Sequence, residues 1–224
     1  MNPETELVMF DLDGTIIDST WIYYEIVRVV MTTLELPPVT ESEIRKANRN
    51  GTFLWEKLFP QACFAEHPGL KDRAWEIARK IAPEMFSQRV KLLPGAAATA
   101  RRLAASGRRL AIVTSTPAAN MAAKLAPLQE GAILELFAEI VTADDTEKKK
   151  PEPDPLLECC RRLEQDPTKA VYIGDTRIDI QAGKAAGCAT VGVLTGFDDR
   201  EMLAMEHPNL IVENLAELTV PPPV

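Results

Sequence analysis

Apolar positions along the chain follow two rhythms. Short unbroken runs at residues 7–10, 110–113, 140–141, 171–173, 190–194 and 210–212 are rich in Val and Ile and alternate little with polar residues. Such runs suit strands buried on both faces of a parallel sheet. Helix-length segments at 96–106, 155–164 and 178–186 lie between them, with Gly107 and Gly187 where helix C-termini favour a left-handed residue. Strand–helix alternation from about residue 91 onward reads as a doubly wound α/β unit.

Residues 19–90 keep a helical rhythm. Ile22, Ile26, Val29 and Val30 mark one apolar face, Leu54, Leu58 and Phe59 a second, and Trp75, Ile77, Ala78, Ile81 and Met85 a third. Thr40 and Glu43 have capping-box spacing, Pro37, Pro38 and Gly51 punctuate the stretch, and no convincing strand is visible. The expected fold class is therefore α/β: a doubly wound parallel, Rossmann-like sheet from 1–18 and 91–224, interrupted by an inserted α-helical subdomain at 19–90. Prolines 221–223 read as a frayed tail.

Composition narrows the function. With 46% hydrophobic and 26% charged residues, the 224-residue chain has the make-up of an ordinary globular protein. Its 33 acids against 25 bases give a net charge of −8, which argues against partners that need a basic surface, nucleic acid and anionic membranes among them. No stretch approaches the roughly 18 consecutive apolar residues of a membrane span, and the polar start of the chain lacks a signal peptide's basic opening. A cytoplasmic location is expected. Cys63, Cys159, Cys160 and Cys188 show neither zinc nor redox spacing and read as small core hydrophobes in a reducing compartment. Only two histidines, His67 and His207, are present, so catalysis would have to run on carboxylates.

The strongest local signal is Asp11-Leu12-Asp13-Gly14-Thr15 at the end of the first apolar run. Residues i and i+2 of an extended chain project to the same side, so both carboxylates can face one crevice. Two such charges need a cation or a shared proton between them. Thr114-Ser115 closes the next run; its hydroxyls could meet a phosphate oxygen or simply cap the following helix. In Lys148-Lys149-Lys150-Pro151, the proline restricts the residue before it, which marks Lys150 as the lysine with a fixed direction. Gly174-Asp175-Thr176-Arg177-Ile178-Asp179 again joins a strand end to a helix, and Asp175 could hold a hard cation or serve as an acidic N-cap.

In this order the four motifs resemble those of the haloacid dehalogenase-like hydrolase superfamily: an Asp-x-Asp-Gly-Thr start, a strand ending in Thr, a lysine, and Gly-Asp-x-x-x-Asp. The resemblance spans essentially the whole chain. It implies that Asp11 is a nucleophile, Asp13 a general acid and base, and Lys150 and Thr114 balance charge on a transferring phosphoryl group. It also implies Mg²⁺ held by Asp11, the Asp13 backbone carbonyl and Asp175, with Asp179 in support. Dehalogenases of the family lack an acid at the second position, so Asp13 points away from C–Cl cleavage.

The insertion is similar to the small helical cap of the phosphoglycolate phosphatase-like and β-phosphoglucomutase-like branch. Within it Arg45, Lys46, Arg49 and Asn50 form a basic stretch that could reach substrate or could be a solvated helix end. Gly14, Thr15 and Ser115 are further candidates for phosphate or substrate contact. The expected activity is a Mg²⁺-dependent phosphatase acting on a small phosphorylated metabolite, with phosphoglycolate the first substrate to test. A sugar phosphomutase is the alternative, and a non-catalytic binding module on the same fold a remoter one. An exposed apolar face of the insertion could support a homodimer.

Overall fold

The computed structural model describes residues 4–49, 52–60 and 69–219. The chain divides into two compact units, Met1–Asp18 with Lys91–Val224, and Ser19–Val90. Cys63, His67, Asn50 and prolines 221–223 lie outside the described residues.

The first unit is built on a six-stranded parallel sheet of order β10-β9-β8-β1-β6-β7. Its strands are β1 (Leu7–Phe10), β6 (Arg109–Val113), β7 (Phe137–Val141), β8 (Ala170–Gly174), β9 (Ala189–Val193) and β10 (Leu210–Val212). Each expected apolar run is present as a strand: 7–10 and 210–212 keep their bounds and the other four are lengthened or shifted. The central strands are buried because helices flank the sheet: α4 (Ala96–Ala105) against β6, α6 (Asp154–Arg162) against β7, and α7 (Arg177–Ala185) against β8 and β9. Leu7, Met9, Ala111, Val113, Tyr172, Leu156 and Ala182 form one continuous apolar layer with Cys159, Cys160 and Cys188. These three thiols are free and buried, and burial pushes Cys159 up from its ordinary value. Gly107 and Gly187 follow α4 and α7 with φ of 80° and 81°, the left-handed conformation their places require.

The chain runs outward from β1 through β6 to β7, then returns to the other side of β1 for β8, β9 and β10. That reversal opens a crevice at the carboxyl ends of β1 and β8, where open α/β sheets bind ligands. A short antiparallel pair, β2 (Ile17–Asp18) with β5 (Lys91–Leu92), joins the points where the first unit is left and re-entered.

The second unit contains α1 (Thr20–Thr33), α2 (Glu41–Ala47) and α3 (Leu70–Arg89). Thr40 and Glu43 form the expected box: Glu43 Oε2 accepts from the Thr40 N–H and hydroxyl, each at 2.7 Å, and the Glu43 N–H donates to Thr40 Oγ1 at 3.3 Å. Two expectations fail here. β3 (Asn48–Arg49) pairs antiparallel with β4 (Thr52–Phe53), so the segment is not purely helical. On α1, Val27 rather than Val29 joins Ile22, Ile26 and Val30 in full burial, since helical pitch carries the stripe round by a residue. Trp55 is buried, stacked on Phe59 at 5.8 Å and edge-on to Phe53 and Trp75, which makes it a core anchor of this unit.

Candidate active site

Asp11 directly follows β1 and is buried. Gly14 turns the chain with φ of 75°, and a side chain there would place Cβ 2.5 Å from Asp175 Oδ2. Glycine is thus required twice over, by its backbone angle and by the aspartate against it. Thr15 is buried behind this turn, its hydroxyl 3.5 Å from Asp175 Oδ1.

Of the three consecutive lysines, Lys148 and Lys149 are exposed and Lys150 is buried, its peptide to Pro151 being cis. Its Nζ donates to Asp11 Oδ1 at 2.8 Å, Asp179 Oδ1 at 2.7 Å and Tyr172 Oη at 2.8 Å. The ammonium's three protons therefore have three acceptors. Burial alone would lower Lys150, but Asp11, Asp179 and Tyr172 outweigh it and hold the lysine well above its usual value. Tyr172 in turn donates to the Val113 carbonyl at 2.8 Å, tying β8 to the end of β6.

One lysine does not balance the acids around it. Ligand oxygens of Asp11, Asp175 and Asp179 lie within 4.8 Å of one another, all in buried residues. Desolvation raises Asp11 to about 7 against the pull of Lys150, with Asp179 and Asp13 pushing the same way as burial. Desolvation also holds Asp175 well above the carboxylate range, reinforced by Asp179 and Asp11. Crowded hard oxygen donors short of positive charge are the chemistry of a divalent-cation site. The three acids differ in spare capacity. Asp179 Oδ1 is taken by Lys150 and Oδ2 by the Thr176 N–H and hydroxyl, at 3.1 and 2.6 Å. Among the described residues, Asp175 accepts from the Phe197 N–H at 2.8 Å on Oδ2 and, at the long distance of 3.5 Å, from the Thr15 hydroxyl on Oδ1. Thr176, not Asp175, is the N-cap of α7, and Asp179 completes its capping box. The N-cap alternative for Asp175 is thereby corrected.

Asp13 faces a different group. Its Oδ2 accepts from Lys124 Nζ at 2.7 Å and from the Thr116 hydroxyl at 2.9 Å, while Lys124 also donates to Thr116 Oγ1 at 2.9 Å. Thr114 is buried and its Oγ1 accepts from the Thr116 N–H at 3.1 Å, so it shapes this loop rather than capping a helix. Ser115 beside it is exposed. In the second unit, Arg45 lies half-buried over the Tyr24 ring at 5.7 Å and Lys46 is exposed; Arg49 belongs to β3.

Thr116, Lys124, Tyr172 and the Gly196-Phe197 turn were not singled out from the sequence. Lys124 carried a readable signal: with Met121 and Leu128 it occupies the buried i, i+3, i+7 stripe of α5 (Met121–Glu130), where a charge needs a partner. Tyr172 is a phenol inside a fully buried strand, with the same implication.

A family model described as haloacid dehalogenase-like hydrolase matches residues 8–193, most of the chain. The chain belongs to that family. Among curated relatives, this hydrolase is 32% identical to a phosphoglycolate phosphatase of Salmonella typhi, over 94% of the chain and 90% of that protein. It is 31% identical to the Escherichia coli K12 protein of the same name, with the same coverage. Among solved structures, a Haemophilus somnus protein described as a predicted phosphoglycolate phosphatase superposes with a TM-score of 0.79 at 26% identity, covering 96% of both chains. A Thermotoga maritima protein described as a "putative beta-phosphoglucomutase" gives 0.71 at 26% identity, covering 95% of both.

Proposed function

We propose that this haloacid dehalogenase-like hydrolase is a Mg²⁺-dependent phosphatase that cleaves a small phosphomonoester through an aspartyl-phosphate. The observation that carries this reading is the buried Asp11 carboxylate at the end of β1, held on one oxygen by Lys150 and crowded by Asp175 and Asp179. Asp11 Oδ2 forms the new bond to phosphorus while the bond to the leaving alkoxide breaks. Asp13 gives that alkoxide its carboxyl proton, then takes a proton from the water that releases phosphate from Asp11. Lys150 and Thr114 balance charge on the phosphoryl oxygens. Mg²⁺, held by Asp11, Asp175 and the Asp13 backbone carbonyl, would supply neutralising charge between nucleophile and substrate. Asp179 keeps Lys150 in place.

Phosphoglycolate is the substrate to test first, supported by the names and coverage of the curated relatives. The reading extends to a cytoplasmic enzyme, which three buried free thiols suit. Residues 19–90 are read as a cap with Arg45 and Arg49 as specificity residues; Arg45→Ala and Arg49→Ala should then raise KM for anionic esters more than for neutral ones. The likeness to the Thermotoga protein favours a second reading, a sugar phosphomutase that returns phosphate to the substrate's other hydroxyl. A panel of phosphate esters assayed for both free phosphate and isomerised product separates the two. The phosphatase reading expects stoichiometric phosphate from at least one ester, abolished by Asp11→Asn. Isomerisation of a hexose 1-phosphate with little phosphate release would replace it with the second reading.

A further inference from the structure

Lys124 is 3% exposed, on a helix face otherwise apolar, 111 residues along the chain from its partner Asp13. A buried ammonium is costly unless its place in the fold is specified by a charge it serves. Its geometry is a closed triangle: Lys124 donates to Asp13 Oδ2 and to Thr116 Oγ1, and the Thr116 hydroxyl donates to the same Asp13 Oδ2. Two donors therefore converge on one oxygen of the carboxyl group. Two donors from separate parts of the first unit, meeting on one oxygen, leave the carboxyl group little freedom to turn. Thr116 is itself held, because its N–H donates to the buried Thr114 Oγ1 at the end of β6.

We propose that Lys124, acting with Thr116, is the positioning residue for Asp13: by holding Oδ2 from two directions it fixes the carboxyl rotamer. This rests on the phosphatase reading above, in which Asp13 protonates the departing alkoxide. Acid assistance matters most when the leaving group is a poor one. An alkyl phosphate needs the proton as its P–O bond breaks, whereas the leaving group of 2,4-dinitrophenyl phosphate departs as a stable phenolate without one. A general structural defect would slow both esters alike, and a misplaced acid slows only the first.

The test compares kcat/KM for the two esters in wild type, Lys124→Met, Thr116→Val and Thr116→Ser, with circular dichroism confirming the fold. Lys124→Met should lose about 10-fold or more on the alkyl ester relative to the dinitrophenyl ester. Thr116→Val should show the same selectivity to a smaller degree, and Thr116→Ser, which keeps the hydroxyl, should behave as wild type. Equal losses on both esters, or no loss, in a folded Lys124→Met protein would overturn the proposal. Should Lys124→Met fail to fold, the Thr116 pair decides: selective loss with Val and recovery with Ser supports it, and identical behaviour of Val and Ser sinks it. A wild-type protein that cleaves neither ester brings down the phosphatase reading and this inference with it, whereas an active wild type with unselective variants brings down the inference alone.

Discussion

Lys150 and Lys124 are both nearly inaccessible, both lie in the first unit and both end on an aspartate of the Asp11–Asp13 turn. Their surroundings differ in charge. Around Lys150, Asp11, Asp175 and Asp179 outnumber a single ammonium, and Asp11 and Asp175 are both raised by burial and then by the charge of Asp179. Around Lys124, one carboxylate meets one ammonium and a hydroxyl donor. The first group has an unmet demand for positive charge, whereas in the second each acid shown is matched by an ammonium. On the proposed reading, one loop thus separates a nucleophile that calls for a cation from an acid–base held by the Lys124–Thr116 pair.

The widest gap should come from the nucleophile. Asp11→Asn is expected to reduce phosphate release by at least about 10⁴-fold with the fold intact, because the proposed mechanism assigns the covalent bond to Asp11. Asp175→Asn should follow, at about 10³-fold in kcat/KM with a raised requirement for Mg²⁺. The lysines then separate by stability. Lys150→Met leaves three buried acids without their cation and should cost about 3–5 kcal/mol in urea unfolding. Added Mg²⁺ should recover part of that loss, since binding to the folded state stabilises it. Mg²⁺ should stabilise Lys150→Met more than it stabilises wild type or Lys124→Met; equal stabilisation of all three would erase the distinction. Gly196→Ala comes next. Its Cβ would stand 1.7 Å from Asp175 Oδ2, so the aspartate must move, and activity should fall about 10- to 100-fold.

The smallest effect lies at the surface and serves as a control. Asp145 and Glu158 are each lowered to about 2, Asp145 first by the Thr142 hydroxyl and then by Arg162, Glu158 by Arg161 and Arg162. Depressed carboxyl groups contribute stability that is present above their ordinary values near 4 and lost as pH falls through about 2. Urea midpoints measured from pH 5 to pH 2 should therefore fall less steeply in Arg162→Gln than in wild type. Activity at pH 7 should be unaffected.

What could be read from the sequence follows the same division. β1, β6 and β8 announced themselves as unbroken apolar runs, and each ended where a polar motif began, so Asp11, Thr114 and Asp175 could be set at one end of the sheet. Lys150 was separable from Lys148 and Lys149 because Pro151 marks it locally. Thr116 has no such marker, and the apolar stripe around Lys124 says that it needs a partner without saying which: α5 packs its buried face toward the Asp13 turn, a tertiary fact between residues 111 positions apart. Gly196 and Phe197 escaped for a like reason, since a loop after β9 shows nothing locally of the aspartate it encloses. The β3–β4 pair was missed because two-residue strands are too short for any period to appear.

The central claim is that the acid excess around Lys150 is a cation site serving a nucleophilic Asp11. Phosphate release from an aryl phosphate by chelator-treated protein, before and after Mg²⁺ is restored, tests it most directly. The account predicts no turnover after chelation, full recovery with Mg²⁺ in wild type, and none in Asp11→Asn under either condition. Undiminished turnover after chelation, or wild-type rates from Asp11→Asn, would contradict it.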